Sequence, residues 1–458
     1  MSKVAKTVYE CTACGATSPK WLGRCPSCGG WSTLEELRYG QQAASASHGG
    51  SARGVTRPVA ISDVVADDAQ RFSTGLGELD RVLGGGIVRG GVVLLGGEPG
   101  IGKSTLLMQA LAGVAASGKR VLYVTGEESA AQVAMRARRL GMRESMLLLA
   151  STDLADVFFA LDANPHDVVV IDSIQTLRSA DLESAAGSVA QLRDVAGRLT
   201  ELAKQRGVAL FLIGHVTKDG GLAGPKVLEH LVDTVLSFEG DSTHAYRIVR
   251  ATKNRFGPAQ ELGVFEMGRE GLRELPDASA LFIAERPLRA AGSVVTATTQ
   301  GTRPLLIEVQ ALVAPALYGA PRRVTTGLDA NRIAVLLAVL QRRAGVQVLD
   351  QDVFASVAGG VRVDEPAVDL ALCVAIVSSL RDRAVPRDVV VFGEVGLTGE
   401  LRAVARPAAR LREARKLGFG RAVLPAANVA HLSAEERDTL ELCAVPDLDA
   451  ALAVTFSG

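Results

Sequence analysis

The sequence predicts an α/β protein in three parts: a small cysteine module, a domain on a parallel sheet, and a second α/β domain. Three observations carry that reading. Between residues 61 and 275, four apolar runs (GVVLLGG, RVLYVTG, DVVVIDS and VALFLIG) alternate with helix-length segments, as expected of a parallel sheet covered on both faces. Four of the six cysteines fall between positions 11 and 28. From 292 to 458 the chain mixes strand candidates (SVVTATT, PLLIEVQALV, VVVFGEV) with strong helix candidates.

At 458 residues the chain is too long for one ordinary core, and 48% hydrophobic content excludes a disordered chain. Lys plus Arg and Asp plus Glu stand at 50 each, so any binding to nucleic acid must use local patches, because there is no overall basic field. The N-terminus has no apolar signal-type region, and the apolar runs are strand-sized. Both features point to a cytoplasmic protein with no membrane contact. Cys373 and Cys443 stand alone in apolar surroundings and read as core thiols, with no disulfide framework.

The first element, residues 1–37, holds two knuckles, Cys11-x2-Cys14 and Cys25-x2-Cys28, separated by ten residues. Each CxxC turn presents two sulfurs to one point, and together they make a tetrahedral zinc site. Four cysteine ligands leave no open position, so the role is structural or partner-binding, and a segment this short would hardly fold without its metal. Residues 38–60, rich in Gly, Ser, Ala and Gln, form a flexible linker.

The next element, 61–275, carries the chemistry. GEPGIGKS, preceded by Gly97, satisfies G-x-x-x-x-G-K-[ST], with the strand VVLLG before it and the helix STLLMQAL after it. The predicted ATP-binding segment is Gly97, Glu98, Pro99, Gly100, Ile101, Gly102, Lys103, Ser104 and Thr105. Its backbone N–H groups would point at phosphate oxygens, Lys103 would reach the β and γ phosphates, and the Ser104 hydroxyl would ligate Mg²⁺. Asp172 ends the strand VVVID, where a carboxylate holds the water shell of the same Mg²⁺. RVLYVTGEES ends with Glu127 and Glu128. Adjacent acids in an extended segment face opposite ways, so one of them is the base that orients the attacking water, and Glu127 is favoured. His215, Thr217 and Lys218 follow VALFLIG, where a polar group can sense the γ-phosphate and pass its state to the glycine-rich loop KDGGLAGPK.

Lys253 and Arg255 stand two positions apart after the strand-like run YRIV, so both point to one side of an extended chain. Three destinations compete for them: the γ-phosphate of a neighbouring subunit, the DNA backbone, or solvent. The first is the leading reading, because nothing obvious in the sequence of a lone P-loop domain supplies positive charge to the far side of that phosphate. A connector, 276–291, leads into the last domain, 292–458. There DANRIAVLLAVLQRRAG reads as a helix capped by Asp329, and AVDLALCVAIVSSL reads as a buried one.

The cysteine module, GGEPGIGKST, YVTGEES, VVIDSIQT, LIGHVTKDGGLAGPKVLEHLVD and the KNRFG motif at 253–257 together resemble the bacterial RadA (Sms) family, relatives of RecA and of the replicative helicase DnaB. The resemblance covers nearly the whole chain. It implies a RecA-like P-loop ATPase core with a parallel central sheet, preceded by a four-cysteine zinc module and followed by a Lon-protease-like α/β domain. It also implies a hexameric ring with DNA-dependent ATPase activity on single-stranded and branched DNA, extending strand exchange or branch migration with RecA. The alternative from another class is an ATP-switched signalling protein of the KaiC group; the zinc module and KNRFG favour the DNA motor.

In Lon proteases the nucleophilic serine aligns with Ala367 in DEPAVDLAL, and the lysine aligns with Ala408 in RPAARLREA. Without hydroxyl nucleophile and base, amide hydrolysis has no route, so the expected role is a non-proteolytic scaffold. Arg402, Arg406, Arg410, Arg412, Arg415 and Lys416 form a dense basic stretch, either a solvated helix face or a DNA-binding surface.

Overall fold

Near-continuous apolar strands need cover on both faces, and the first sheet has it. In the computed structural model, which describes residues 8–11, 17–18, 20–26, 29–37, 71–142, 146–215, 226–240, 246–286, 290–316 and 319–457, the chain divides into two units, Met1–Glu274 and Leu275–Gly458. Cys14, Cys28, the linker 38–60, Thr217, Lys218 and most of the loop KDGGLAGPK lie outside the described residues.

The first unit is built on a nine-stranded sheet. Its order is Gly271–Glu274, Leu262–Gly268, Tyr246–Asn254, Thr234–Glu239, Val92–Gly97, Ala209–His215, Val168–Asp172, Val121–Thr125 and Leu147–Ala150. The last six are parallel, and the first three extend the sheet as an antiparallel meander. Strand alternation divides the core in two. Val93, Leu95, Val170, Phe211 and Ile213 pack with Leu106, Leu107, Met108 and Leu111 of helix Lys103–Ala116. Val92, Leu94, Val169, Ile171, Leu210 and Leu212 pack with Leu192, Val195, Ala196 and Leu199 of helix Val189–Arg206. Each Val, Leu, Ile, Phe or Met among them contributes about 1.5–3 kcal/mol by leaving water. Register sets Gly97 beside His215 and Thr125 beside Asp172, so the loops after four strands emerge along one edge.

The module before it pairs Val8–Cys11 with both Thr17–Ser18 and Leu34–Leu37. Cys11 and Cys25 are buried in one cluster with Leu34, against Tyr9. The second unit has a seven-stranded mixed sheet, ordered Arg323–Thr326, Gln351–Val357, Arg303–Pro315, Ser293–Gln300, Val389–Val391, Arg421–Pro425 and Glu441–Val445. Helix Asp369–Leu380 is buried from Asp369 to Ser378, as its all-round apolar sequence predicts. Asp329 caps helix Ala330–Arg343 by accepting from the Arg332 N–H. The stretch 276–291 contains the helix Ala278–Ala284, whose Ser279 hydroxyl bonds Glu413 at 2.6 Å.

Candidate nucleotide-binding site

The strand Val92–Gly97 runs straight into a loop that turns back onto helix Lys103–Ala116. Glycine is required at two points of that turn. A Cβ on Gly97 would stand 2.7 Å from the Phe238 carbonyl oxygen, and Gly102 has φ +118°, where side chains are strained. Ile101 is buried and its carbonyl accepts from Arg247 Nε at 3.2 Å, so its side chain anchors the loop rather than facing a ligand. Glu98 offers its carbonyl to the loop's lysine.

Lys103 Nζ donates to Gly97 O and Glu98 O, both at 2.8 Å, and lies 3.2 Å from His215 Nδ1. Burial brings its pKa down to about 8, against the opposing pull of Asp172, Glu127 and Glu98. An ammonium can only donate, so Nδ1 of His215 accepts, and its Nε2 carries the proton offered to Glu127 Oε1 at 2.9 Å. Glu127 also accepts from the Ser173 hydroxyl. Burial alone would push the Glu127 carboxyl up. The bonds from Ser173 and His215, with the Lys103 charge, outweigh it and hold the group below its ordinary range. An ionised carboxylate with fixed neighbours can orient a water.

The twin glutamates diverge. Glu128 turns to Arg136, with which it forms an ion pair, and its N–H bonds the Thr125 hydroxyl at 3.1 Å. Asp172 is nearly buried and accepts from the Tyr123 hydroxyl. Burial and the Asp172 charge push that phenol far above its ordinary pKa, and the same hydroxyl bonds Ser104. Tyr123 therefore stands between the two groups expected to hold Mg²⁺. A hydroxyl and a carboxylate joined in this way suit a hard, oxygen-seeking cation.

Pro99, Gly100, Gly102, Lys103, Ser104, Thr105, Glu127, Glu128, Asp172 and His215 line one cleft of about 370 Å³, together with Arg136 and Arg139. A hollow of about 400 Å³ in the second unit, lined by Gly292, Leu312, Val324 and Phe354 among others, has no charged group, so size alone does not select a site. Sequence reasoning missed Tyr123, Ser173 and Arg136. The hydroxyl-bearing aromatic inside the largely apolar strand Val121–Thr125 was the available signal for Tyr123.

Lys253 and Arg255 are not in this cleft. Lys253 pairs in register with Val235, which pairs with Leu94, and Arg255 lies beyond Asn254. Both sit toward the N-terminal ends of the parallel strands, while the P-loop leaves from the C-terminal ends. The Lys253 ammonium caps the helix Lys226–Leu231 and the residue after it through Glu229 O at 2.5 Å and Val232 O at 2.8 Å. Burial, then the neighbouring Arg255, lowers its pKa. Arg255 is half-exposed and bonds Asp233 at 3.1 Å. The rest of the motif is structural: Asn254 accepts from Thr234 and Phe256, and Gly257 packs so closely on Gly84 that a Cβ would lie 2.8 Å from its Cα.

Of the four candidate zinc ligands, Cys11 and Cys25 are described, and they share one buried cluster, as ligands from two knuckles must. In the second unit Ala367 is buried and Ala408 is partly buried. The basic stretch is not one surface. Arg410 is fully buried, bonded to Glu365, Ala297 O, Thr299 and Ala405 O. It faces inward with Leu411 and Ala414 of its helix, Pro407–Lys416. Arg402, Arg412 and Lys416 are exposed but paired with Glu400, Glu436 and Asp277.

Family models match three segments: the rubredoxin metal binding domain over residues 9–36, the AAA domain over 56–221, and the Lon protease C-terminal proteolytic domain over 341–458. The chain is similar over nearly its whole length to proteins called DNA repair protein RadA. That of Pseudomonas aeruginosa is 51% identical, covering 99% of both chains. Those of Bacillus subtilis and Escherichia coli are each 48% identical, covering 93% and 99% of both chains respectively. Among solved structures, a KaiC-like protein from Pyrococcus horikoshii matches with a TM-score of 0.39 at 22% identity, covering 45% of this chain and 99% of that chain.

Proposed function

We propose, for a chain that belongs to the RadA family of DNA repair proteins, that it is a DNA-dependent ATPase working as a hexameric ring on single-stranded and branched DNA. The observation that carries the reading is the convergence of Lys103, Ser104, Glu127, Asp172 and His215 on one cleft, with Lys253 and Arg255 at the other end of the same sheet. ATP would lie along the P-loop, with Mg²⁺ between Ser104 and Asp172 and a water aligned by Glu127. The second charge cluster cannot reach the nucleotide of its own chain. It is where a ring would present cations to a neighbour's γ-phosphate.

The proposed division is a zinc module at 1–37, a linker at 38–60, an ATPase domain at 61–275, and, after 276–291, a scaffold domain at 292–458. Alanine at both 367 and 408 leaves that scaffold without nucleophile or base, so we read it as non-proteolytic. Zinc would be held by Cys11, Cys14, Cys25 and Cys28, and the module would serve to engage RecA in extending strand exchange. No helix among the described residues is long and apolar enough to cross a membrane, and a cytoplasmic setting suits a protein that acts on DNA.

The test is the steady-state rate of ATP hydrolysis with and without single-stranded DNA at two salt concentrations. The expected result is stimulation that fades as salt rises, because phosphate contacts release counterions. A rate indifferent to DNA would move the reading to an ATP-driven switch.

A further inference from the structure

Arg136 belongs to helix Ala130–Arg139, whose start is fixed by a capping box between Ser129 and Gln132. Its side chain is only 19% exposed and reaches back into the nucleotide cleft. One arm of the guanidinium, Nη2, is paired with Glu128. The other, Nη1, is shielded from solvent and has no hydrogen-bond partner. A buried donor on a cation is costly to leave unmade, and a native protein seldom carries one without a partner to come. The positive charge of Arg136 also acts on the Tyr123 hydroxyl, the group that bonds both Asp172 and Ser104. The guanidinium therefore lines the cleft that also holds Ser104 and Asp172, where the terminal phosphates of a nucleotide would lie.

We propose that Arg136 is a phosphate ligand supplied in cis. Nη1 donates to a non-bridging oxygen of the γ-phosphate, and Glu128 is the counter-ion that holds the guanidinium in place. A planar guanidinium suits both jobs at once, because its five N–H groups point in several in-plane directions and can reach two different anions. Serving only to hold Glu128 would employ Nη2 and leave Nη1 unexplained. Contact with the adenine would require the guanidinium to lie away from Tyr123, on whose hydroxyl its charge acts. The arrangement also divides the twin glutamates: Glu128 is spent on Arg136, and Glu127 is left to the water. This inference rests on ATP occupying the cleft around Lys103.

The experiment measures binding of fluorescent methylanthraniloyl derivatives of ATP and ADP, with Mg²⁺, to the full chain. Arg136→Ala is expected to weaken ATP by about tenfold or more while leaving ADP within about threefold, the loss of one charge-assisted bond to the γ-phosphate. Arg136→Lys recovers part of the loss. Glu128→Gln, which keeps an oxygen to hold Nη2 but removes a negative charge from beside the phosphates, tightens ATP. Equal weakening of both nucleotides by Arg136→Ala, or weakening of ATP by Glu128→Gln, would make Arg136 a structural partner of Glu128 and overturn the proposal. Should Arg136→Ala fail to fold, Arg136→Lys and Glu128→Gln still decide the matter by the same ATP-to-ADP ratio. Lys103→Ala separates the two levels: if it binds both nucleotides like the wild type, the cleft is not the nucleotide site and the inference falls with that reading.

Discussion

Lys103 Nζ and His215 Nδ1 stand 3.2 Å apart, the P-loop lysine against the last residue of the neighbouring strand. With Gly97 O and Glu98 O, that contact engages all three donors of the ammonium. A phosphate oxygen can be bound by Lys103 only if one of these partners gives way. His215 is the one on a side chain, and its far nitrogen already holds Glu127. Filling of the phosphate site is thereby felt at the groups that position water.

The lysine's lowered pKa gives a kinetic signature. In the free site the ammonium loses its proton as pH rises through about 8. The value of kcat/KM for ATP, which reports the free enzyme, should fall above that pH. Bound phosphates favour the charged form, so the alkaline limb of kcat should be displaced to higher pH. A pH profile of both constants checks this; coincident limbs, or none below pH 9.5, would contradict it.

Glu127 and Glu128 should separate cleanly in kinetics. Glu127→Gln keeps the shape and removes the charge that orients water, so kcat should fall by about 10²–10⁴ while ATP remains bound. Glu128→Gln should retain most of the turnover, because its carboxylate is committed to Arg136. Single-turnover hydrolysis beside nucleotide binding distinguishes the two, and the reverse ranking would transfer the base to Glu128.

The sheet and the P-loop were legible because both are local. Continuous apolar runs, a glycine-rich turn and an acid at the strand end are written in consecutive residues. The groups that complete the cleft were not, because Tyr123, Ser173 and Arg136 acquire meaning only from strand order. Ser173 follows Asp172, yet its hydroxyl serves Glu127, and Arg136 returns from eight residues further on to hold Glu128. The one buried member of the basic stretch was hidden for the same reason. Counting charges along 402–416 cannot show that Arg410 alone turns inward to a carboxylate 45 residues away.

That inward arginine has a measurable stability role. Burial would raise the Glu365 carboxyl, but the bond and charge of Arg410, with Thr299 and Thr298, outweigh it and hold it below the ordinary range. Arg410→Ala strands the carboxylate and should cost the second unit about 3–5 kcal/mol. The sign with pH follows. A carboxyl whose pKa is lower folded than unfolded stabilises fully above its unfolded value, about 4.3, and loses that contribution as pH falls through the folded value. The gap between wild type and Arg410→Ala in denaturant unfolding should therefore narrow below about pH 4. A gap that stays constant with pH would mean Arg410 acts by packing alone.

The separation of Arg255 from the P-loop makes the last prediction a matter of geometry. Arg255 lies beyond Asn254, which pairs with Thr234 and through it with Val93, while the P-loop begins at Gly97. Four residues of strand are roughly 13 Å, too far for a side chain to serve the nucleotide of its own chain. Arg255→Ala loses only a half-exposed pair with Asp233, so the fold should survive it. Lys253 is the poorer probe, because it also caps a helix. If Arg255 completes a neighbour's site, Lys103→Ala and Arg255→Ala subunits are each inactive alone. Mixed rings should then regain a fraction of ATPase activity, wherever an intact P-loop meets an intact arginine. Absence of recovery in rings verified as mixed would exclude the trans role. Loss of DNA binding by Arg255→Ala, with DNA-free hydrolysis intact, would assign the residue to the DNA backbone.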